Sequence, residues 1–172
     1  MKNLKRDLIR VVVVFLFCCM FPALAIAQSP DVLTGPELTR VVPPGFYFQG
    51  LSAPTQMRNS AAARFGPNRY VIAGLVDTSG YAADIRAKYE GFLITDTTIT
   101  INGTELGVGA YGFGFSNDGK LNIFDLAGRE MFSVTTTKDN QIRRPRPLMM
   151  TKSGSANVRL YSGRDYAEIA LK

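Results

Sequence analysis

The chain has no histidine and no tryptophan, and its two cysteines, Cys18 and Cys19, sit side by side in an N-terminal apolar run. Everything after that run therefore has no disulfide, no thiol nucleophile and no Cys or His metal site. Imidazole-dependent triads and acid–base pairs are excluded with them. No cofactor motif and no metal-ligand constellation is present, so neither a cofactor nor a metal is expected. Charge of one sign is scarce as well. The formal net charge is +6, but residues 1–27 hold Lys2, Lys5, Arg6 and Arg10 against Asp7, so half of that excess belongs to the first segment. The rest is mildly basic, which suits an anionic partner and does not indicate nucleic acid.

Long hydrophobic runs are equally few. Val11 to Leu24 is the main one. It follows a basic stretch, Met1 to Arg10, and precedes Ala25-Ile26-Ala27, a small-x-small site with cleavage expected before Gln28. That order is the pattern of a secretory signal peptide. The alternative, an uncleaved anchor, is disfavoured because Val11 to Ala27 falls short of the ~20 residues a spanning helix needs, and Pro22 interrupts it. Lipidation of Cys18 or Cys19 is disfavoured by bulky Phe15 and Phe17 just upstream. The expectation is export to the periplasm or beyond, with no membrane span after cleavage. Residues 28–44 are rich in Pro and Gly and read as an extended lead-in. Residues 45–172 read as one β domain.

What is present is a succession of short β signals. The stretch from Ala110 to Thr136 organises them, three apolar runs separated by Asn117-Asp118-Gly119 and Ala127-Gly128. Both separators are hairpin turns in composition. Two registers are open at the first. A two-residue loop sets Phe115 opposite Asn122, and a three-residue loop sets Phe115 opposite Leu121 and Phe113 opposite Ile123. The second is preferred, since a slip of one residue exchanges the two faces. With a two-residue Ala127-Gly128 loop, Phe113, Phe115, Leu121, Ile123, Phe132 and Val134 then share one face. The other face sets Gly112 and Gly114 near Phe124, Leu126 and Met131.

Elsewhere, Phe46 to Phe48 suits a first strand. Residues 52–65 suit a helix or a strand, with a strand from Ser60 to Phe65 preferred. Tyr70 to Val76 is a near-continuous apolar run, as expected of a central strand. Residues 77–88 suit one short helix capped by Ser79 and running to about Tyr89. Asn102-Gly103 marks a tight hairpin, which accounts for the Asn102-Gly103-Thr104 glycosylation sequon without a sugar. A Gly163-Arg164 turn closes the last hairpin, pairing Val158 with Ile169, Leu160 with Ala167, Arg159 with Glu168 and Tyr161 with Tyr166. The pattern predicts a mainly β domain, an antiparallel sandwich or a small partly closed barrel, with one short helix.

Four places carry candidate chemistry. Leu75-Val76-Asp77-Thr78-Ser79-Gly80 resembles the active-site loop of retroviral-type aspartic proteases, where two Asp residues share one proton. Ser79 stands where that loop has its glycine, and a turn explains the same residues. Asp77 is thus the one catalytic candidate, for a carboxylate-dependent hydrolase. Asp125 and Glu130 face each other across the second turn, a solvated pair or a poor cation site. Tyr111, Gly112 and Gly114 suggest close approach by a ring, a backbone or a small apolar ligand. Arg143, Arg144 and Arg146, held extended by Pro145 and Pro147, suit phosphate, lipid A or an acidic glycan.

The order from Ile99 to Asp125, with Asn102-Gly103, Gly109-Ala110-Tyr111, Phe113-x-Phe115 and Leu121-x-Ile123, resembles a block in exported bacterial β proteins of unknown function. The resemblance implies an envelope sandwich or barrel and transfers no functional residue. The leading functional expectation is a non-enzymatic module that binds an anionic envelope component or a small apolar ligand. A hydrolase centred on Asp77 and a purely structural or adhesive module are the alternatives.

Overall fold

The computed structural model describes residues 29–172, and the signal segment expected at residues 1–27 lies outside the described residues. In chain order the elements are β1 (Asp31–Val32), α1 (Gly35–Val41), β2 (Gly45–Phe48), β3 (Leu51–Arg64), β4 (Tyr70–Val76), α2 (Ala83–Arg86), β5 (Gly91–Thr95), β6 (Ile99–Ile101), β7 (Thr104–Leu106), β8 (Gly109–Ser116), β9 (Lys120–Phe124), β10 (Glu130–Thr135), β11 (Thr137–Lys138), β12 (Arg146–Ser153), β13 (Asn157–Gly163) and β14 (Asp165–Leu171). They form two antiparallel sheets. The larger runs β1-β3-β4-β5-β8-β9-β10, with β2 added on β3. The smaller runs β12-β13-β14-β6-β7, with β11 added on β14. The fold is a β-sandwich and not a closed barrel.

The core between the sheets follows from period-two alternation. Ala61, Ala63, Val71, Ala73, Leu93, Phe113, Leu121, Ile123 and Val134 point inward from the larger sheet. Ile99, Ile101, Leu148, Met150, Val158, Leu160, Ala167 and Ile169 meet them from the smaller. Each such side chain contributes roughly 1.5–3 kcal/mol on burial. The three-residue register holds at the first turn of the meander, with Phe113 opposite Ile123 and Phe115 opposite Leu121. Gly119 takes φ 76°, where a Cβ would be strained. The last hairpin keeps all four of its expected pairs.

The second turn of the meander differs from the two-residue loop read from the sequence. Phe132 does pair with Ile123 and Val134 with Leu121, but a bulge at Met131 shifts the register. Asp125 N–H donates to the Arg129 carbonyl and Gly128 N–H to the Asp125 carbonyl, each at 2.9 Å. The extra residue lengthens the loop while leaving the inward face intact.

Three further segments depart from expectation. The lead-in is only partly extended, since β1 pairs with Arg64 and Ala63 of β3 and α1 follows, with proline in its first turn. Residues 52–65 are strand, and β3 starts earlier than Ser60, running for 14 residues with a bulge between Thr55 and Ser60. The helix after β4 covers only Ala83–Arg86 and is capped at Ala82 rather than Ser79. There are accordingly two short helices among the described residues rather than one.

These segments build a third layer on the outer face of the larger sheet. Ala62, Ile72, Val76, Phe92 and Phe124 of the sheet are covered by Leu33, Val42, Phe46, Phe48, Tyr81 and Tyr89. The near-continuous apolar run of β4 is thereby explained, because both of its faces are buried. At the far edge of the sandwich Asn102 ties the sheets together. It adopts φ 46° beside Gly103 at φ 85°, the tight hairpin turn that Asn-Gly favours. Its Oδ1 accepts from Glu168 N–H and its Nδ2 donates to the Thr135 carbonyl, each at 2.7 Å.

Candidate functional site

Asp77 sits exposed in the turn after β4. Its Oδ1 accepts the Ser79 N–H at 3.0 Å, and that bond holds its carboxyl below the usual range. No second carboxylate is bonded to it among the described residues. The resemblance of residues 75–80 to a protease loop reflects turn chemistry.

The glycine face is filled by the chain itself. A Cβ at Gly112 would collide with the Phe48 ring, and one at Gly114 with the Lys88 carbonyl. Phe48 in turn stacks on Tyr89 with ring centroids 3.9 Å apart. The Tyr81 hydroxyl lies 3.2 Å and 3.0 Å from the carbonyls of Phe48 and Leu51 and pins the hairpin that carries Phe48. Burial pushes the Tyr89 phenol well above its ordinary range, so it stays neutral. Tyr111 does not join the two glycines. Alternation turns it to the opposite face, where it packs against the inner core and donates to the Gly107 carbonyl at 3.0 Å.

Asp125 and Glu130 do not face each other either. The bulge at Met131 sets Glu130 opposite Phe124. Asp125 is taken by Arg129, whose backbone N–H and guanidinium approach its carboxylate to 2.9 Å and 2.7 Å. The Arg129 backbone bond is the main reason its carboxyl lies below the usual range.

The arginine strip is what remains open. Arg143, Arg144 and Arg146 are all exposed, and none of them forms an ion pair among the described residues. The loop that carries them is anchored at its start. Asp139 N–H donates to the Arg164 carbonyl at 2.9 Å, and Tyr161 Oη donates to Asp139 Oδ2 at 3.1 Å. Asp139 Oδ1 accepts the Gln141 N–H at 2.9 Å. Folded over the outer face of the smaller sheet, this segment makes a cleft of about 380 Å³ lined by Lys138, Asp139, Asn140, Gln141, Arg159 and Tyr166.

With Lys138, Arg159 is one of the two cations lining that cleft. Its guanidinium lies over the Tyr166 ring, 4.5 Å from the centroid. Its Nε forms a loose ion pair with Glu168 Oε2 at 3.8 Å, too long for a hydrogen bond, and makes no hydrogen bond among the described residues. Glu168 is instead held by Ser153 Oγ at 3.1 Å and by Asn157 Nδ2 at 2.5 Å. The one carboxylate in the cleft wall, Asp139, is already engaged on both oxygens. Positive charge without a carboxylate partner among the described residues is therefore found on the loop beyond the cleft, while the cleft itself mixes both signs.

A second, larger crevice of about 600 Å³ lies where the turns after β8, β10 and β13 converge. Half-buried Glu90 faces it and accepts the Phe115 N–H at 3.0 Å. Burial raises the Glu90 carboxyl above its ordinary range, the Phe115 bond opposing in part. Its lining mixes Asp118 and Asp165 with Lys138 and hydroxyls, and Asp118 is already paired with Lys120 at 2.8 Å.

The chain matches no family model, no curated protein and no solved structure. What fold and site define together is a three-layered β-sandwich with an exposed arginine loop that follows a polar cleft on its smaller sheet. Sequence reasoning found the arginine strip and set Arg159, Tyr161, Tyr166 and Glu168 on one face by register. It missed that residues 138–141 fold onto that face, because nothing in a polar loop's composition says where it lies.

Proposed function

We propose that the protein is an exported, non-enzymatic binding module that engages an anionic partner through its arginine loop and the adjoining cleft. The observation that carries this reading is the density of open positive charge, three exposed guanidiniums within four residues and none of them paired with a carboxylate among the described residues. Arg64, Lys120, Arg129, Lys152, Arg159 and Lys172 each have a carboxylate partner within 4 Å. Arg143, Arg144 and Arg146 have none among the described residues, and nowhere else among those residues do three unpaired cations fall within four positions. Exposed ion pairs add only about 0–1 kcal/mol to folding, so three unpaired guanidiniums on one loop do little for stability. They are suited to carboxylate, sulfate or phosphate oxygens, which guanidinium binds in a two-pronged geometry. The turn-bound Asp77 and the filled glycine face support binding at the arginine loop over hydrolysis or a ligand above the glycines.

The test is retention on a heparin or lipid A matrix. Retention is expected to fall steeply with salt, as the screening length shrinks from ~10 Å at 0.1 M to ~3 Å at 1 M. Changing Arg143, Arg144 and Arg146 to Ala together is expected to abolish it while thermal stability stays unchanged. Retention equal to the wild type after that change overturns the reading. Fractionation with N-terminal sequencing checks the export half, with a mature start at Gln28 expected.

A further inference from the structure

The arginine loop ends beside a pocket of a different kind. Arg146, which opens β12, is one wall of a pocket of about 190 Å³ at the seam where β1 and β3 of the larger sheet meet β12 of the smaller. The other walls are mixed: apolar side chains from Leu33 beyond β1, Leu38 of α1, and Leu148, Met149 and Met150 of β12 alternate with polar groups around Thr34 and Gly35. Ser60 also lines it, but its hydroxyl is spent on the Met57 carbonyl at 2.7 Å. No carboxylate lines it. The seam thus joins a pocket of mixed lining, with several apolar side chains, to one guanidinium that has no carboxylate partner among the described residues, and Arg144 and Arg143 precede it in the chain.

We infer that this seam binds a single-chain anionic amphiphile as a monomer, with the alkyl chain between Leu38 and Leu148 and the anionic head on Arg146. The inference rests on the anion-binding reading above and names the ligand class for its end nearest the pocket. Three features favour that occupant over a compact anion or a bulky ring. The volume lies below the ~300–1,000 Å³ of pockets that enclose whole drug-sized ligands, so a narrow chain segment suits it. Methionine side chains re-pack around irregular apolar shapes, and two of them stand in one wall. The charge at the rim is of one sign and faces no internal partner, which complements a head group of the opposite sign.

Calorimetric titration of the purified protein with inorganic phosphate and with butyl, hexyl and octyl phosphate, each below its aggregation threshold, tests the site. Affinity is expected to rise about fourfold per methylene until the pocket is full, and then to level off. Leu38→Phe, which fills the pocket from α1, is expected to abolish that rise while leaving heparin retention unchanged. Met149→Phe repeats the experiment from the opposite wall should the first variant fail to fold. Arg146→Gln is expected to weaken all the alkyl phosphates by a similar factor and to preserve the gain per methylene. A flat chain-length series in a protein that still binds inorganic phosphate and heparin overturns the amphiphile and leaves the anion-binding reading standing. A rise that persists in both filled variants puts the chain elsewhere and overturns the site. Loss of heparin retention in the triple arginine change with the methylene gain intact supports the pocket and confines the anionic partner to the loop.

Discussion

The two faces of the larger sheet are buried in different ways. The inner face is covered by another sheet, and its contacts are mainly aliphatic chains meeting their counterparts in alternation, with Phe65 and Phe113 fully buried among them and Phe115, Phe132 and Tyr111 at the margin. The outer face is covered by pieces: Leu33 just after β1, two short helices and a hairpin. Its contacts are aromatic rings laid on glycines. Phe92 fills the space where a Cβ on Gly74 would come within 2.6 Å of it, and Phe46 stacks on Phe92 at 4.9 Å. One face is closed by a regular partner that cannot move independently, and the other by side chains large enough to bridge irregular cover.

The comparison is sharpened most by two truncations. Phe113 and Phe48 are 0% and 1% exposed, so burial alone predicts the same loss, about 3–5 kcal/mol for Phe→Ala. Phe113→Ala is expected at the upper end, because two hydrogen-bonded sheets cannot collapse into the gap. Phe48→Ala is expected at the lower end, because its hairpin can settle onto Gly112. Urea midpoints measured at constant m value check this, and equal losses would erase the distinction.

A smaller effect isolates the ring-on-glycine contact. Gly112→Ala is expected to cost about 1–3 kcal/mol through overpacking. Phe48→Leu in the same chain is expected to return part of that loss, since the smaller side chain vacates the Cβ position. A double-mutant cycle measures the coupling. Strict additivity would mean that Phe48 and Gly112 do not depend on each other.

The smallest effect lies where the outer cover joins the sheet. Glu90 has a carboxyl raised by burial in the folded state. The folded protein therefore binds that proton more tightly than the unfolded chain does. Stability should rise as pH falls through the raised folded value, and level off below the ordinary glutamate range. Glu90→Gln keeps an oxygen to accept the Phe115 N–H and should flatten the profile in that window. An unchanged profile, followed by thermal melts against pH, would assign the dependence to other groups.

The same contrast explains what was legible in the sequence. The meander register followed from Asn117-Asp118-Gly119 and from alternation, and the last hairpin followed from Gly163 and its flanking pairs. Both are local, and their partners lie within a few residues. The outer cover was not legible, because Leu33, Val42, Phe48 and Tyr81 reach it from separate segments with no shared period. The glycines were read as a place of close approach, which they are, but Tyr111 was grouped with them although odd and even positions of β8 face opposite ways. The bulge at Met131 escaped notice for a related reason: it moves Asp125 and Glu130 apart without disturbing a single inward residue. At the cleft, register alone set Arg159 beside Tyr166, while the loop that completes the wall is held by Asp139, whose partners are 22 and 25 residues away in Tyr161 and Arg164.

Strand β3 passes through both layers without a break. Its first residues hydrogen-bond to the hairpin that carries Phe48, and its last residues lie between β1 and β4 in the body of the sheet. The outer cover is therefore no hinged flap. Lifting it would wrench a continuous backbone out of the scaffold, so amide protons in the cover should exchange with solvent in concert with those of the central strands.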